Sequence, residues 1–466
     1  MNSSNIWKAY APKRLATPAQ FAEVELTDTD IACSFDDSYR AARLLIRVHG
    51  RPVGYADLAA EILPTLDHAR LLATLDPETI ERARSHLIDD LTLAGFPVAD
   101  QPADLIVLLD QVRQAQLACP RAPVIDGPLV SVAVCTRDRV ETIGATLQSL
   151  ERQTYRNMEV LVVDNAPSSD TTERLVRAHF PHVRYIREPR VGLDWARNRA
   201  VLESYGEIIA YIDDDAIADA NWLQSLVAAF EAPKVMCVTG LVAPARLDTP
   251  AQELFERFGY SKGFYRLNFN LNAPPPVDLF PYKGYHGTGC NSAFRRAAFA
   301  QVGLFDPRLD MGTPVPGGGD HDMFTRVLLA GFTLRYEPNA VVFHDHIDDM
   351  RVLARKLGQY QQAFVAYLVK CALNDRRRAP ALFADVTWSV IRKFVRGLVA
   401  VAVRRDRPLA LVLAQAYYPL LGPICLYRSH HRTHAGTEVE LQTPIGILAI
   451  DPTRGVDTLL SKDTPS

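Results

Sequence analysis

Acidic side chains are the residues of this chain best able to act together. Five aspartates stand at or just beyond short apolar runs. Asp138 follows LVSVAVC (129–135), Asp164 closes MEVLVVD (158–164), and Asp213, Asp214 and Asp215 follow GEIIAYI (206–212). Anions gathered in one place repel each other unless a cation or a donor-rich ligand offsets them. Oxygen ligands suit a hard divalent cation, Mg2+ or Mn2+, which keeps positions open for phosphate oxygens. An aspartate at a strand end is equally an ordinary turn or helix cap, but three in succession cannot all be caps.

A second acidic pair, Asp320 and Asp322, opens a helical pattern just after the glycine-rich stretch GTPVPGGG (312–319). Acid is favoured at a helix N-terminus, so capping explains either residue alone. A glycine loop carrying an acid also suits delivery of a general base to a bound acceptor. Beyond it, FTLRYEPNAVVFHDH (332–346) reads as a pair of strands, with His346 a surface residue and His344 better placed for chemistry.

These positions need a scaffold. A continuous apolar run at 129–135 and further strand patterns at 158–164, 183–188, 206–213 and 235–240 alternate with helical patterns at 139–153, 169–180 and 192–205. Such alternation predicts a parallel sheet with helices on both faces, whose ligands bind beyond the carboxyl ends of the strands. No G-x-G-x-x-G and no G-x-x-x-x-G-K-[ST] follows a strand, which disfavours Rossmann dehydrogenases and P-loop enzymes. Phosphates must then be neutralised by metal and side chains. Upstream, 42–59 reads as a strand pair turning at Gly50 and Pro52, and 76–95 as a helix capped by Asp76, with Pro77 first and Gly95 as the stop.

The chain has 466 residues, 48% hydrophobic and 23% charged, which excludes wholesale disorder and predicts several domains. The net charge of −3 argues against nucleic acid held by bulk positive charge. The 7 cysteines form no CxxC pair, so a reducing cytosol fits better than a disulfide framework or zinc knuckle. The first residues lack the apolar core of a secretory signal. Over 351–434, fifteen Lys and Arg face three Asp, and 382–403 is amphipathic with Arg392, Lys393 and Arg396. That segment suits an anionic membrane face or a solvated helical face. The apolar stretch 408–427 contains Gln415, Pro419 and Pro423, which disfavours a span. The organisation expected is a small α/β accessory domain over 1–119, a linker over 120–128, a catalytic domain over 129–346, and a helical basic region over 347–466 with a flexible end.

The blocks VSVAVCTRDR, EVLVVDNAPSSDTT, GLDWARNRAVLESYGEIIAYIDDDAIADANWLQSL, HGTGCNSAFRRAAFAQVGLFDP and GGGDHDMFTRVLLAGFTLRYEPNAVVFH resemble, in order, those of a family 2 glycosyltransferase over about 129–346. The resemblance implies a GT-A fold: α/β, Rossmann-like, mostly parallel, with helices on both faces. It implies inverting transfer from a nucleotide sugar to an acceptor hydroxyl in polysaccharide or glycoconjugate biosynthesis. Thr136, Arg137, Asp138, Asp164, Asp213 and Asp214 would hold the nucleotide sugar. Asp215 and His344 would bind Mn2+ or Mg2+, and Asp320 would be the catalytic base, with Asp322 as a fallback. Gly287, Thr288 and Asn291 would face a carbohydrate or lipid-linked acceptor. The family's glutamate before the base is replaced here by Gly319. The setting implied is cytoplasmic, at the inner face of the membrane if the basic C-terminal region makes peripheral contact. The runner-up is a non-catalytic sugar-nucleotide-binding or assembly subunit. A nucleotidyltransferase is disfavoured because no basic, glycine-rich loop follows the first strand. Aromatics between 246 and 288, among them Phe255, Tyr260, Phe264, Phe269, Tyr282 and Tyr285, suit sugar stacking or core packing.

Overall fold

The structure is a computed structural model that describes residues 13–31, 34–97, 104–117, 127–258, 260–275, 279–282, 286–399, 401, 409–433, 439–443 and 446–450. Most of the linker expected over 120–128, and residues 451–466 of the expected flexible end, lie outside the described residues.

The N-terminal region holds β1 (Ala19–Glu25), β2 (Ala41–Val48) and β3 (Arg51–Ala59), then α1 (His68–Thr74), α2 (Pro77–Leu93) and α3 (Leu105–Gln114). The expected strand pair is β2–β3, with Val48 opposite Arg51. Its two-residue turn, His49–Gly50, takes φ of 49° and 75°, the left-handed geometry that tight hairpins require. Asp76 caps α2 by accepting from the Thr79 N–H, and Pro77 takes the first helical position. Leu44 and Ile46 of β2 form a core with Leu87 of α2 and Leu108 of α3. On the other face, Leu45 and Tyr55 pack with Leu241, Phe264 and Val341 further along the chain. Arg47 also donates to Asp219 at 2.8 Å.

The next region runs β4 (Val130–Thr136), α4 (Val140–Glu151), β5 (Met158–Asn165), α5 (Thr171–His179), β6 (Arg184–Glu188), α6 (Leu193–Glu203), β7 (Ile208–Asp213), β8 (Ala216–Ala218), α7 (Trp222–Ala229), β9 (Val235–Pro244), α8 (Pro250–Glu256), β10 (Leu267–Phe269), β11 (Asn291–Arg295), α9 (Arg296–Val302), α10 (Gly319–Leu329) and β12 (Thr333–His344). Its sheet has the order β10-β12-β9-β11-β7-β4-β5-β6, with β8 against β12. The run β7-β4-β5-β6 is parallel, as the strand–helix alternation predicts. The chain returns antiparallel through β11, between β7 and β9, so the sheet as a whole is mixed. Side chains alternate between two cores. Val132, Val134, Ile208 and Ile212 face one, and Ala133, Val163, Ile209 and Tyr211 face the other. Burial on both faces is why β4, β5 and β7 read as largely apolar runs.

Two expectations need correction here. The stretch 332–346 is not a strand pair but one strand, β12, whose register with β9 shifts between Glu337 and Val341. Pro338 and Asn339 make an irregularity there instead of a turn. His346 is not a surface residue: it is buried, bonded to Glu256 at 3.1 Å and sharing a hydrogen bond with His344. Most of the aromatics named above are core, with Phe255, Phe264, Phe269 and Tyr282 buried; Tyr285 lies outside the described residues.

The C-terminal region is α11 (Met350–Asn374), α12 (Ala379–Val399) and α13 (Leu409–Thr433), followed by strands β13 (Val439–Thr443) and β14 (Gly446–Ile450). Helix α11 is tied to the sheet region by Lys370, whose Nζ lies 2.6 Å from both Asp306 and Asp322. Gly422 of α13 sits against the Gln362 carbonyl and Ala366 N–H of α11, an approach that leaves little room for a side chain. No helix among the described residues is long and apolar enough to cross a membrane.

Candidate active site

Strand register brings the acids together. Thr136 of β4 lies opposite Asp164 of β5, and Cys135 lies opposite Asp213 of β7. On the other side of β7, Asn291 pairs with Ile212, so the preceding Cys290 reaches Asp213. β12 pairs with β8 with His344 opposite Ala216, next to Asp215. Residues more than two hundred positions apart thus meet at one sheet edge, beyond the carboxyl ends of the parallel strands.

Ligand atoms of Asp213, Cys290 and His344 lie within 4.8 Å of one another, and His344 Nε2 is 3.4 Å from Asp215 Oδ1. Burial, reinforced by Asp215, raises the Asp213 carboxyl to about 7, and burial raises Asp214 to about 6. Burial pushes the His344 imidazole down to about 4, so at neutral pH its lone pair is free of protons. Arg139 donates to Asp215 at 2.5 Å and to Asp214 at 3.2 Å, and Thr136 donates to Asp214 at 2.6 Å. Carboxylates short of countercharge beside a neutral imidazole fit a divalent cation such as Mn2+ or Mg2+. Burial keeps the Cys290 thiol protonated, so it is the weakest donor of the group. Asp213 therefore joins Asp215 and His344 as a candidate ligand.

Asp164 is buried and accepts from the Tyr185 hydroxyl at 2.8 Å, while its Oδ1 is buried with no hydrogen-bond partner. Burial raises this carboxyl. A buried acceptor with an open lone pair is suited to a donor brought by a ligand. Asp138 and Arg137 are exposed at the rim, and Asp138 accepts from the Ser168 N–H at 2.9 Å and hydroxyl at 2.8 Å. Asn165 accepts from the Gly192 N–H and donates to the Arg190 carbonyl, fixing the entry to α6.

Asp320 starts α10 and accepts from the backbone N–H groups of Gly289 at 2.9 Å and His321 at 2.8 Å. Burial works to raise this carboxyl. His321, Arg197 and the two N–H donors outweigh burial and hold it below the usual range. A β-carbon on Gly289 would meet Arg197 Nη2 at 2.8 Å and Asp320 Oδ2 at 3.2 Å, so glycine lets all three approach. Arg197 is buried and bonded to Asp194 at 3.0 Å and Asp310 at 2.5 Å. Lys262, pushed down to about 8 by burial, feels the charge of Asp320.

Three sequence expectations change. Asp322 is engaged by Lys370 at 2.6 Å and Arg326 at 2.8 Å, a structural ion pair that removes it as a fallback base. Asn291 is buried; its amide donates to the carbonyls of Leu241 and Ala340, and its Oδ1 accepts from Trp222 Nε1. It braces the sheet and has no N–H left for an acceptor. Gly287, at φ 119°, is buried against Thr239, while the Thr288 hydroxyl oxygen is buried and unpartnered. The residues missed in the sequence are Arg139, Asp194, Arg197, Lys262 and Cys290. The i, i+3 spacing of Asp194 and Arg197 was visible, but it looks like an ordinary helix pair.

The description "Glycosyl transferase family 2" matches residues 131–303. A glucosyl-dolichyl phosphate glucuronosyltransferase of Haloferax volcanii is 29% identical over 182 residues, 38% of this chain and 56% of that protein. A succinoglycan biosynthesis protein of Rhizobium meliloti is 27% identical over 48% of this chain and 68% of its own length. A protein of Escherichia coli named as a colanic acid biosynthesis glycosyl transferase is 31% identical over 49% of this chain and 76% of its own length. The chain thus spans little more than half the length of the Haloferax relative.

Proposed function

Because this chain belongs to glycosyl transferase family 2, we propose that it moves a sugar from a nucleoside-diphosphate donor to an acceptor hydroxyl with inversion at the anomeric carbon. The nucleotide base would donate to the free oxygen of Asp164, and Thr136 and Asp214 would face the ribose. Asp213, Asp215 and His344 would hold a divalent cation. Such a cation offsets charge on a leaving diphosphate.

Asp320 takes the proton of the acceptor hydroxyl. The acceptor oxygen bonds to the anomeric carbon on the face opposite the diphosphate, whose C–O bond breaks with the electron pair leaving on the nucleotide. His321, Arg197 and two backbone N–H donors favour the ionised form of Asp320, the form that accepts that proton. The observation that carries this reading is a half-buried carboxylate held low by His321, Arg197 and two backbone donors, next to Cys290 and the acids that meet at the strand ends. The names of the relatives point to surface-polysaccharide or glycoconjugate synthesis, and that of the Haloferax protein to a lipid-linked sugar as acceptor.

A screen of nucleotide sugars for nucleotide release, with and without Mn2+, tests the proposal. Metal-dependent release from one donor supports it. Donor binding without release under every condition would favour the non-catalytic subunit.

A further inference from the structure

Helix α13 has two apolar faces, and among the described residues only one is covered. Leu411, Gly422 and Leu426 are buried where α13 meets α11, Val412 is buried against Gly397 of α12, and Ser429 is buried and donates to the Arg308 carbonyl. On the outer side stand Leu409, Leu413, Tyr417, Leu420, Ile424 and Tyr427, at steps of four, four, three, four and three. They are exposed by 51%, 52%, 59%, 68%, 52% and 66%. Trp388, Ile391, Val395 and Val399 of α12 repeat this spacing, and Trp388 is 63% exposed. The two helices pack together through Gly397 and Val412, and each turns its apolar stripe to solvent. Isolated exposed apolar residues are ordinary, but a stripe of six on one helix and of four on its neighbour marks an interaction surface.

The charge around it selects the partner. Exposed Arg392 and Arg396 flank the α12 stripe, Arg376, Arg377 and Arg378 precede α12, and exposed Arg428 lies on α13. From 376 to 433 there are eleven Lys and Arg and two Asp. A second copy of this chain would bring the same basic rim against itself, whereas an anionic lipid surface complements it. Trp and Tyr at the edge of an apolar stripe suit the headgroup level of a bilayer. The inner face of α13 is committed to α11, and no described helix is long and apolar enough to span.

We propose that the outer face of α12 and α13 seats this chain on an anionic bilayer, lying in the interface plane without crossing it. The proposal is independent of the transfer chemistry. The test is flotation of the full chain with vesicles of phosphatidylcholine alone or mixed with phosphatidylglycerol. Binding to the mixed vesicles should be at least about tenfold stronger, and it should weaken with salt. The double variants L420E/Y427E and R392E/R396E should each lower it about tenfold or more, with the thermal midpoint and the secondary structure by circular dichroism unchanged. Equal partitioning to both vesicle types, or no partitioning, would overturn the proposal. So would a dimer, seen by sedimentation velocity without lipid, that L420E splits, because that would assign the face to a second copy.

Discussion

Asp194 fills the space that a side chain at residue 319 would need. A β-carbon built on Gly319 collides with the Asp194 carboxylate, which is buried, raised well above its ordinary range by burial, and bonded to Arg197. The glycine that departs from the family pattern thus leaves room for the carboxylate of a residue 125 positions earlier in this chain.

Gly319→Ala should cost about 1–3 kcal/mol through overpacking, read as a fall in the denaturation midpoint. In an Asp194→Ala background the same change should cost measurably less, because the obstructing carboxylate is gone. Additive costs in the double-mutant cycle would show that the two positions do not compete for space.

Lys370 neutralises Asp306 and Asp322 in a buried cluster that ties α11 to the sheet region. Lys370→Met should destabilise the protein by about 3–5 kcal/mol by stranding those carboxylates. Burial works to raise Asp306 and Asp322, but Lys370 and the neighbouring arginines outweigh it and hold both low. Their contribution is complete above the ordinary carboxylate range and is lost as pH falls through their depressed values. Acid unfolding should therefore begin at higher pH in the variant, followed by circular dichroism.

Asp213 and Asp214 shift the other way, to about 7 and about 6, chiefly through burial. A raised carboxyl stabilises the fold below its unfolded value, and that contribution disappears as pH rises through the folded value. The metal-free protein should thus lose stability between about pH 4 and pH 7. Added Mn2+ should raise the thermal midpoint more at about pH 8 than at about pH 5.5, with proton release measurable by calorimetry in two buffers. A metal effect independent of pH would contradict the assignment of these acids.

His344→Ala should weaken Mn2+ binding by about tenfold or more while leaving the fold intact. Titration of wild type and variant with Mn2+ alone checks it. Equal affinities would remove His344 from the ligand set.

Strands β4, β5 and β7 were legible because burial on both faces makes them largely apolar, whereas β6, Arg184–Glu188, is polar and half-exposed and was legible only from the strand–helix alternation. The α2 cap was legible because Asp76 and Pro77 act within one turn. The strand-end acids were legible as a group once the carboxyl ends of parallel strands were known to share an edge. Other features depend on contacts between distant residues. Arg197 reaches Asp310 across 113 positions, and nothing local marks either. Asn291 looked like an acceptor ligand because a polar residue stood in a family block, but the tertiary fold spends its amide on two strand carbonyls and leaves it no free N–H. Pro338 and Asn339 carry turn chemistry, yet pairing with β9 on either side holds them inside one strand. Burial of His346 depends on Glu256, ninety residues away.

Transfer and donor binding measured on the same preparation of Asp320→Asn test the central claim most directly. The substitution should lower transfer by at least about a hundredfold, within the range a general base supplies, with donor affinity changed no more than a few-fold. Transfer at the wild-type rate, or loss of donor binding in place of loss of turnover, would contradict Asp320 as the base.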